Sequence, residues 1–136
     1  MERKIVKDIF FLGQKSEDAT LLDLSVAKDL EDTLKANREY CVGLAANMIG
    51  EKKRIITIAF GGGCLTMLNP EIIKKSNPYD TEEGCLSLSG QRPTKRYRVI
   101  TVKYQDKGFK WHTGEFKDYT AQIIQHEIDH CNGIII

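Results

Sequence analysis

The sequence lacks the features that mark nucleic-acid-binding, secreted and membrane proteins. Its 136 residues carry a formal net charge of +1, which predicts no strong attraction to nucleic acid or to an anionic membrane surface. The amino terminus, MERKIVKDIFFLGQ, interrupts its apolar residues with charges and therefore matches neither a signal peptide nor a membrane span. No internal repeat, low-complexity tract or linker divides the chain. We therefore expect one cytoplasmic domain that spans residues 1–136.

Clustered positive charge is limited to one short segment near residue 95. Arg92, Lys95, Arg96 and Arg98 lie close together there. A strand whose outer positions face solvent explains this spacing more simply than a nucleic-acid surface does. We therefore predict that these basic side chains are solvated and that the protein has no nucleic-acid partner.

Cysteine is also sparse, which limits the chemistry available to thiols. The four cysteines are Cys41, Cys64, Cys85 and Cys131. Thiols stay reduced in the cytoplasm, so disulfide bonds are not expected there. We interpret the four side chains as buried small hydrophobes or as metal ligands.

The hydrophobic pattern predicts a helix, several strands and a second helix. Residues 25–38 place Val26, Leu30 and Leu34 on one helical face and charges on the other. The remaining predicted elements are strands at 54–60 and 64–73 joined by a turn at 61–63, strands at 97–106 and 110–119, and a helix at 120–133. This order predicts an α+β fold with antiparallel β-sheets packed around the C-terminal helix.

The C-terminal helix contains the strongest chemical signal. His126 and His130 are four residues apart, so both imidazoles project from one helical face. Glu127 lies beside the first of them, within reach of a water on a shared metal. Together they form a His-Glu-x-x-His pattern, which favours a metal site over a surface or packing role for the pair.

A catalytic metal site needs a third protein ligand, and this one has to lie upstream. Cys131 follows His130 directly and points away from the metal, because adjacent helical residues are about 100° apart. The upstream side chains able to bind a metal are Cys64, Glu82, Glu83, Cys85 and His112. The segment EEGCLS favours Cys85, since Gly84 frees the backbone beside a thiol that a metal would deprotonate. A buried structural thiol is the alternative for Cys85.

Three segments, GLAANMIG, EEGCLSLSG and QHEIDH, together resemble the sequence motifs of peptide deformylases. The resemblance runs from about residue 37 to the end and implies a peptide-deformylase-like catalytic domain. In that family the enzyme removes the formyl group from the N-terminal formylmethionine of nascent polypeptides, releasing formate. The implied partner is therefore a formylated N-terminus, met in transient proximity to the ribosome. By the same resemblance Cys85, His126 and His130 bind one divalent metal, usually Fe(II), with Zn(II) or Ni(II) as substitutes.

The resemblance also implies roles for residues around the metal. Glu127 takes a proton from water and can return it to the departing amine. The backbone N–H of Leu86 donates to the oxyanion that forms at the formyl carbon. Gln125 matches the third motif, but its position equally suits a supporting or packing role.

A peptide substrate needs a backbone surface and an apolar pocket. Gly43 and Leu44 are the expected surface, because an extended peptide can pair with their backbone. Ile123 faces the same way as the two histidines and is the candidate for the pocket that holds the methionine side chain. Ordinary core packing explains Ile123 equally well.

The first motif departs from the family pattern at two positions. Cys41 stands at its first glycine, and Met48 stands where a glutamine normally donates to the oxyanion. Methionine has no hydrogen-bond donor, and loss of one such donor typically slows the reaction by about 10²–10³.

Three functions are compatible with this change. The first is a working deformylase in which Asn47 or an ordered water supplies the donor. The second is a deformylase-like metal amidase that acts on another N-acyl substrate. The third is a non-catalytic metal-binding paralogue, against which the retained Glu127 argues, because a structural metal site needs no general base.

Overall fold

The structure is a computed structural model that describes residues 1–136. A short helix, α1 (Ile9–Leu12), begins the regular structure, and Asp8 caps it by accepting from the Phe10 N–H. A 3₁₀ turn (Leu21–Asp23) leads into α2 (Leu24–Ala36). The predicted apolar face of α2 is confirmed, with Val26, Leu30 and Leu34 buried.

Five strands form one antiparallel sheet in the order of the chain. They are β1 (Gly43–Ala45), β2 (Ile55–Phe60), β3 (Gly63–Cys85), β4 (Leu88–Gln105) and β5 (Trp111–Lys117). Gly61 and Gly62 turn the chain between β2 and β3 with positive φ angles, as the glycine triplet predicts. Asp106 closes the β4–β5 turn by accepting from the N–H groups of Gly108 and Lys110.

Strand β3 is much longer than the predicted strand at 64–73 and continues to Cys85. Its register against β4 shifts between Leu68 and Glu71 and again between Ile72 and Lys74. The first shift contains Asn69, at a φ of 53°, and Pro70. Proline is tolerated in a strand where a bulge interrupts the ladder, so the segment bends without ending the strand. The result is a long β3–β4 hairpin with Cys85 at its tip.

The last helix, α3 (Asp118–Cys131), matches the predicted helix at 120–133. It packs against β1, β2, β4 and β5, and it therefore lies at the centre of the fold. Gly133 ends it with a φ of 74°, in the left-handed region that favours glycine. The α+β prediction of antiparallel strands around a C-terminal helix is confirmed.

Two hydrophobic clusters form the core. The first joins α2 to β1 and to the 3₁₀ turn at Ala46–Ile49, and it includes Leu44 and Met48. The second joins the sheet to α3 and includes Ile123 and Cys131. No helix in the structure is both long enough and apolar enough to cross a lipid bilayer.

Two predictions about side-chain exposure are wrong. Cys64 lies beside the β2–β3 turn and is exposed, so it is neither a buried hydrophobe nor part of a ligand cluster. Arg96 was expected to be solvated, but it retains only 4% of its accessible surface. Its burial has a specific cause, which lies in the site described next.

Candidate active site

An open cleft of about 780 Å³ lies between the tip of the β3–β4 hairpin and α3. The residues that precede β1 form another wall, and Met48 contributes to the lining. The cleft brings together most of the residues that the sequence singles out: Gly43, Cys85, Leu86, Ile123, His126 and Glu127. A volume of this size is typical of a ligand site.

Cys85, His126 and His130 form a cluster able to hold a metal ion. One ligand atom from each residue lies within 4.8 Å of the other two. The two Nε2 atoms of the histidines are 3.1 Å apart. Two nitrogens bound tetrahedrally at about 2.05 Å from one cation lie about 3.3 Å apart. The donor set of one thiol and two imidazoles therefore fits a divalent transition metal with little adjustment.

The other upstream candidates lie elsewhere or have other partners. His112 is exposed and pairs with Asp106 at 2.7 Å. Glu82 is exposed on the hairpin. Glu83 is buried, but its carboxylate faces the Nδ1 atom of His126 at 2.7 Å, on the far side of the imidazole from the cluster. Among the alternatives that spacing leaves open, the structure thus brings Cys85 to the two histidines.

The carboxylate of Glu83 organises one side of the cluster. It accepts from the Nε and Nη2 atoms of Arg96 at 2.9 and 2.7 Å, and from the Gln122 amide at 2.9 Å. Because Nδ1 of His126 also donates to Glu83, the Nε2 atom of that imidazole is fixed towards His130. Burial opposes the charged form, but the hydrogen bonds from His126 and Arg96 hold the pKa of Glu83 at about 2.

The pKa values of the two histidines shift in opposite directions. Burial lowers the pKa of His126, but the neighbouring Cys85 thiol and the Glu83 carboxylate outweigh it and raise the pKa to about 10. Burial and the charge on His126 lower the pKa of His130 to about 3. Nδ1 of His126 faces the Glu83 carboxylate, which favours positive charge on this imidazole. The environment therefore favours a cation at the position where a metal would bind.

Glu127 is a buried carboxyl group that faces the cleft. It is 4% exposed, and its Oε1 atom has no hydrogen-bond partner. Burial raises the pKa of Glu127 to about 7, against an opposing effect of the charge on His126. A carboxyl with a pKa near neutrality can both take and return a proton, as a general base and acid must.

Gly43 allows this carboxylate to approach the sheet. A Cβ atom at Gly43 would lie 2.8 Å from Cγ2 of Ile123 and 3.0 Å from Oε2 of Glu127. Contacts that short do not occur, so a side chain at this position would displace α3 from β1. The first glycine of GLAANMIG is therefore required by the close packing of α3 against β1.

The edge of β1 offers a place for an extended peptide. The Ala59 N–H donates to the Val42 carbonyl at 2.8 Å, so alternation places the backbone groups of Leu44 towards β2. The N–H and C=O of Gly43 point the other way, to the open edge, where the Cys41 thiol donates to the Gly43 carbonyl at 2.9 Å. Of the predicted pair, only Gly43 presents its backbone to the cleft. The Leu44 side chain is fully buried in the first cluster.

Leu86 and Ile123 line opposite parts of the cleft. Leu86 lies in the two-residue turn between β3 and β4, directly after Cys85. Ile123 lies on α3, is 8% exposed, and also belongs to the second hydrophobic cluster. The two alternatives for Ile123 are therefore both present, because one face of its side chain packs in the core and another lines the cleft.

Asn47 does not supply a donor to the cleft in place of the missing glutamine. Its amide nitrogen donates to the His130 carbonyl at 2.9 Å and lies 3.5 Å from the Leu12 carbonyl. Met48 is 1% exposed and packs in the first cluster while lining the cleft. Asn47 therefore anchors the end of α3 and does not replace the glutamine as a donor to the cleft.

Gln125 has a supporting role. Its Oε1 atom accepts from the Tyr97 N–H at 2.8 Å, and its Nε2 atom donates to the carbonyls of Tyr97 and Ala121. The side chain therefore joins α3 to β4 and has no free donor for the cleft.

The residue that sequence analysis missed is Arg96. The period-two alternation of β4 contains part of the signal, because it places Arg96 on the face of the buried Ile100 and Val102, but it places the exposed Arg98 there as well. The partners of Arg96 could not be found in the same way. Glu83 lies opposite Arg92 in the ladder, so its pairing with Arg96 depends on side-chain direction and not on register.

Comparison with known proteins gives one consistent family. The model of the family described as "Polypeptide deformylase" matches residues 7–136. The chain is 60% identical over 136 residues to a peptide deformylase of Clostridium beijerinckii, and the match covers 100% of each chain. It is 36% identical to a peptide deformylase of Thermoanaerobacter pseudethanolicus, over 98% of this chain and 84% of the relative.

Solved structures agree with the sequence matches. A class I type b peptide deformylase from Acinetobacter baumannii, bound to Met-Ala-Ser, superposes with a TM-score of 0.88 at 26% identity and covers 99% of this chain and 97% of that one. A peptide deformylase from Thermotoga maritima gives a TM-score of 0.86 at 30% identity, with 99% and 94% covered.

Proposed function

The chain belongs to the peptide deformylase family, and we propose on that premise how its residues carry out the reaction. It is an enzyme that removes the formyl group from the N-terminal formylmethionine of nascent polypeptides and releases formate. The observation that carries the assignment of roles is the buried carboxyl of Glu127, which faces the cleft beside the cluster of Cys85, His126 and His130.

The protein belongs to a metal-dependent family, and three side chains of the cluster are the proposed ligands. Cys85 would bind as a thiolate, and His126 and His130 through their Nε2 atoms. We propose Fe(II) as the native metal, with Zn(II) or Ni(II) able to replace it. When bound, the metal supplies Lewis acidity that lowers the pKa of water and polarises the formyl oxygen.

Glu127 is the proposed general base and acid. It accepts a proton from the attacking water while oxygen adds to the formyl carbon. It then returns the proton to the departing nitrogen as the C–N bond breaks, so the products are formate and a free amino terminus. The backbone N–H of Leu86, beside Cys85 at the hairpin tip, is the proposed donor to the developing oxyanion.

The substrate peptide is proposed to lie along the open edge of β1. The N–H and C=O of Gly43 can pair with its backbone, as in β-strand addition. Leu44 does not contact the peptide in this proposal, and its buried side chain supports the edge from the first hydrophobic cluster. Ile123, which lines the cleft one turn before Glu127, is the proposed wall for the methionine side chain. The tripeptide Met-Ala-Ser, bound by the related enzyme from Acinetobacter baumannii, has the sequence expected of a product of this reaction.

Met48 is the reason to consider a second function, because it replaces a residue that donates to the oxyanion in the family pattern. Neither Asn47 nor Gln125 has a free donor for the oxyanion, so this site has one side-chain donor fewer than its family pattern. A metal amidase for another small N-acyl group, or a non-catalytic paralogue, would also retain the metal cluster. The 60% identity to a peptide deformylase over the whole chain favours deformylation.

We further propose that residues 1–136 act as one catalytic domain in the cytoplasm. All four cysteines are free, which supports a compartment where thiols stay reduced. Formylated nascent chains are met there, in transient proximity to the ribosome. The net charge of +1 supports the absence of nucleic-acid or membrane partners.

The function is tested with two matched peptides. The Fe(II)-loaded protein, assayed without oxygen, is expected to release formate from formyl-Met-Ala and to leave acetyl-Met-Ala intact. Release of acetate with little formate would favour the amidase for another N-acyl substrate. A metal-loaded protein that cleaves neither peptide would favour the non-catalytic paralogue.

A further inference from the structure

One buried guanidinium contacts both elements that contribute to the metal cluster. The side chain of Arg96 is 5% exposed and extends from β4 towards both β3 and α3. On the hairpin side it makes two hydrogen bonds to Glu83, at 2.9 and 2.7 Å. On the helix side its Nη1 atom donates to Asp129 at 2.7 Å. Arg96 is therefore a direct link between β3 and α3.

The positions of its two partners give this link a chemical meaning. Glu83 lies two residues before Cys85 on β3, and Asp129 lies directly before His130 on α3. Glu83 also accepts from Nδ1 of His126. The same guanidinium thus constrains the strand that carries the thiol and the helix that carries both imidazoles.

The tip of the hairpin packs against the first hydrophobic cluster through Cys85, Leu86 and Leu88, but its backbone pairing is irregular. The register of β3 against β4 is irregular between Gly84 and Cys85, and a two-residue turn follows. The Cys85 sulfur accepts from the Ser87 N–H, within that turn, at 3.3 Å. Apolar packing is not directional, so the polar link between β3 and α3 a few residues earlier is the directional contact closest to this sulfur along β3.

Stability alone is a weak reason for such a group. Removing charges from water opposes folding, and a buried ion pair often stabilises a protein no more than apolar residues of the same volume. A planar guanidinium can, however, hold two carboxylates at defined distances and angles, which the point charge of lysine does not do. The arrangement suits a geometric role.

We propose that Arg96 is a positioning residue for the metal cluster. It sets the separation of the Cys85 thiol from His126 and His130 by holding Glu83 and Asp129 together. This inference rests on one part of the proposed function, namely that Cys85, His126 and His130 bind the metal. It assigns Arg96 no contact with the substrate or with the reacting atoms.

The test compares Arg96→Lys with Arg98→Lys. Arg98 lies two residues further along β4, is exposed, and places its guanidinium over the Tyr79 ring, so it controls for loss of an arginine on the same strand. For each variant, Zn(II) affinity is measured by competition with a chelator, and the absorption spectrum of the Co(II) form is recorded. Thermal unfolding of the metal-free protein reports stability separately.

Arg96→Lys is expected to fold and to bind Zn(II) about tenfold to a hundredfold more weakly than the wild type. Its Co(II) spectrum is expected to shift, because the thiolate and imidazoles surround the metal in a changed geometry. Arg98→Lys is expected to match the wild type in both measurements. A lower unfolding temperature with wild-type affinity and spectrum for Arg96→Lys would show a merely structural role and overturn the proposal.

Asp129→Ala provides a second variant if Arg96→Lys does not fold. It removes only the contact on the helix side, at a residue that is more exposed than Glu83. We expect weaker Zn(II) binding and a shifted Co(II) spectrum here too, and wild-type values for both would again overturn the proposal. These readouts do not depend on deformylation, so a wild type that binds metal without releasing formate would contradict the proposed function and leave this inference standing.

Discussion

At the scale of single residues, Gly43 shows why the segment GLAANMIG carries so little side-chain volume. The carboxylate of Glu127 and the side chain of Ile123 occupy the space where a Cβ atom would stand. The same residue directs its N–H and C=O to the open edge of β1. One glycine therefore makes room for the proposed base and forms part of the proposed peptide surface.

Replacing Gly43 by alanine tests this close approach. The added methyl group would force α3 away from β1, so we expect a loss of stability of about 1–3 kcal/mol and a clear drop in deformylation. Gly63→Ala is the matched control, because its Cβ would meet nothing closer than 4.0 Å. Urea unfolding and formate release measure the two effects. Equal behaviour of the two variants would show that the approach at Gly43 is not tight.

Met48 is the residue at which this chain lacks the side-chain donor of the family pattern. It is buried and lines the cleft, and the amides of Asn47 and Gln125 donate to backbone carbonyls instead. The backbone N–H of Leu86 is the donor that we propose for the oxyanion.

Met48→Gln should therefore raise the rate. A donor restored to the oxyanion is expected to increase kcat for formyl-Met-Ala by about 10- to 1000-fold, with a smaller change in KM. Steady-state kinetics of the Fe(II) form measures it. An unchanged kcat would mean that another group, such as an ordered water, already stabilises the oxyanion.

At the scale of elements, the end of α3 is held against the segment that follows α1. Gly133 stops the helix, and a Cβ there would lie 2.7 Å from the Gly13 carbonyl oxygen. Asn47 fixes the same end by donating to the His130 carbonyl. The helix that carries both imidazoles is thus anchored at its last turn.

Two glycine substitutions separate backbone strain from steric clash at this helix end. Gly133→Ala and Gly62→Ala both place alanine at a positive φ, which costs about 1–2 kcal/mol. Only Gly133 also meets backbone atoms, since a Cβ at Gly62 has nothing within 4 Å. We expect Gly133→Ala to lower the free energy of unfolding clearly more than Gly62→Ala does, as measured by urea denaturation. Similar losses would mean that the clash relaxes without cost.

The elements differ in how far the sequence could predict them. Local periodicity was enough for α2 and α3, and therefore for the pairing of His126 with His130. The continuation of β3 from Ile73 to Cys85 could not be predicted, because the polar residues that follow include Asn77-Pro78, which indicates a turn unless the pairing with β4 is known. The partnership of Arg96 with Glu83 was missed for a related reason. It depends on a contact between elements and leaves no pattern in either strand.

At the scale of the whole molecule, the buried carboxyl of Glu127 makes stability depend on pH. Its pKa is about 7 in the folded metal-free protein, against an ordinary value of 4.5. Below pH 4.5 the group is protonated in both states and has no effect. Between pH 4.5 and 7 the unfolded state loses its proton first, so the folded state loses stability as pH rises, by about 3 kcal/mol in all.

Glu127→Gln removes this dependence. In the metal-free protein, the variant should gain stability relative to the wild type as pH rises from 5 to 8, because glutamine does not ionise. Urea unfolding at several pH values measures the difference. Parallel curves for the two proteins would contradict the raised pKa of Glu127.

The same variant tests the central claim, that Glu127 transfers the proton in a deformylation supported by Cys85, His126 and His130. The measurement is formate release from formyl-Met-Ala by the Fe(II) forms of the wild type and Glu127→Gln, with metal content determined on the same samples. We predict that both bind about one metal ion, that the wild type releases formate, and that the variant is slower by about 10²–10⁴. A metal-loaded variant that releases formate at the wild-type rate would contradict the account.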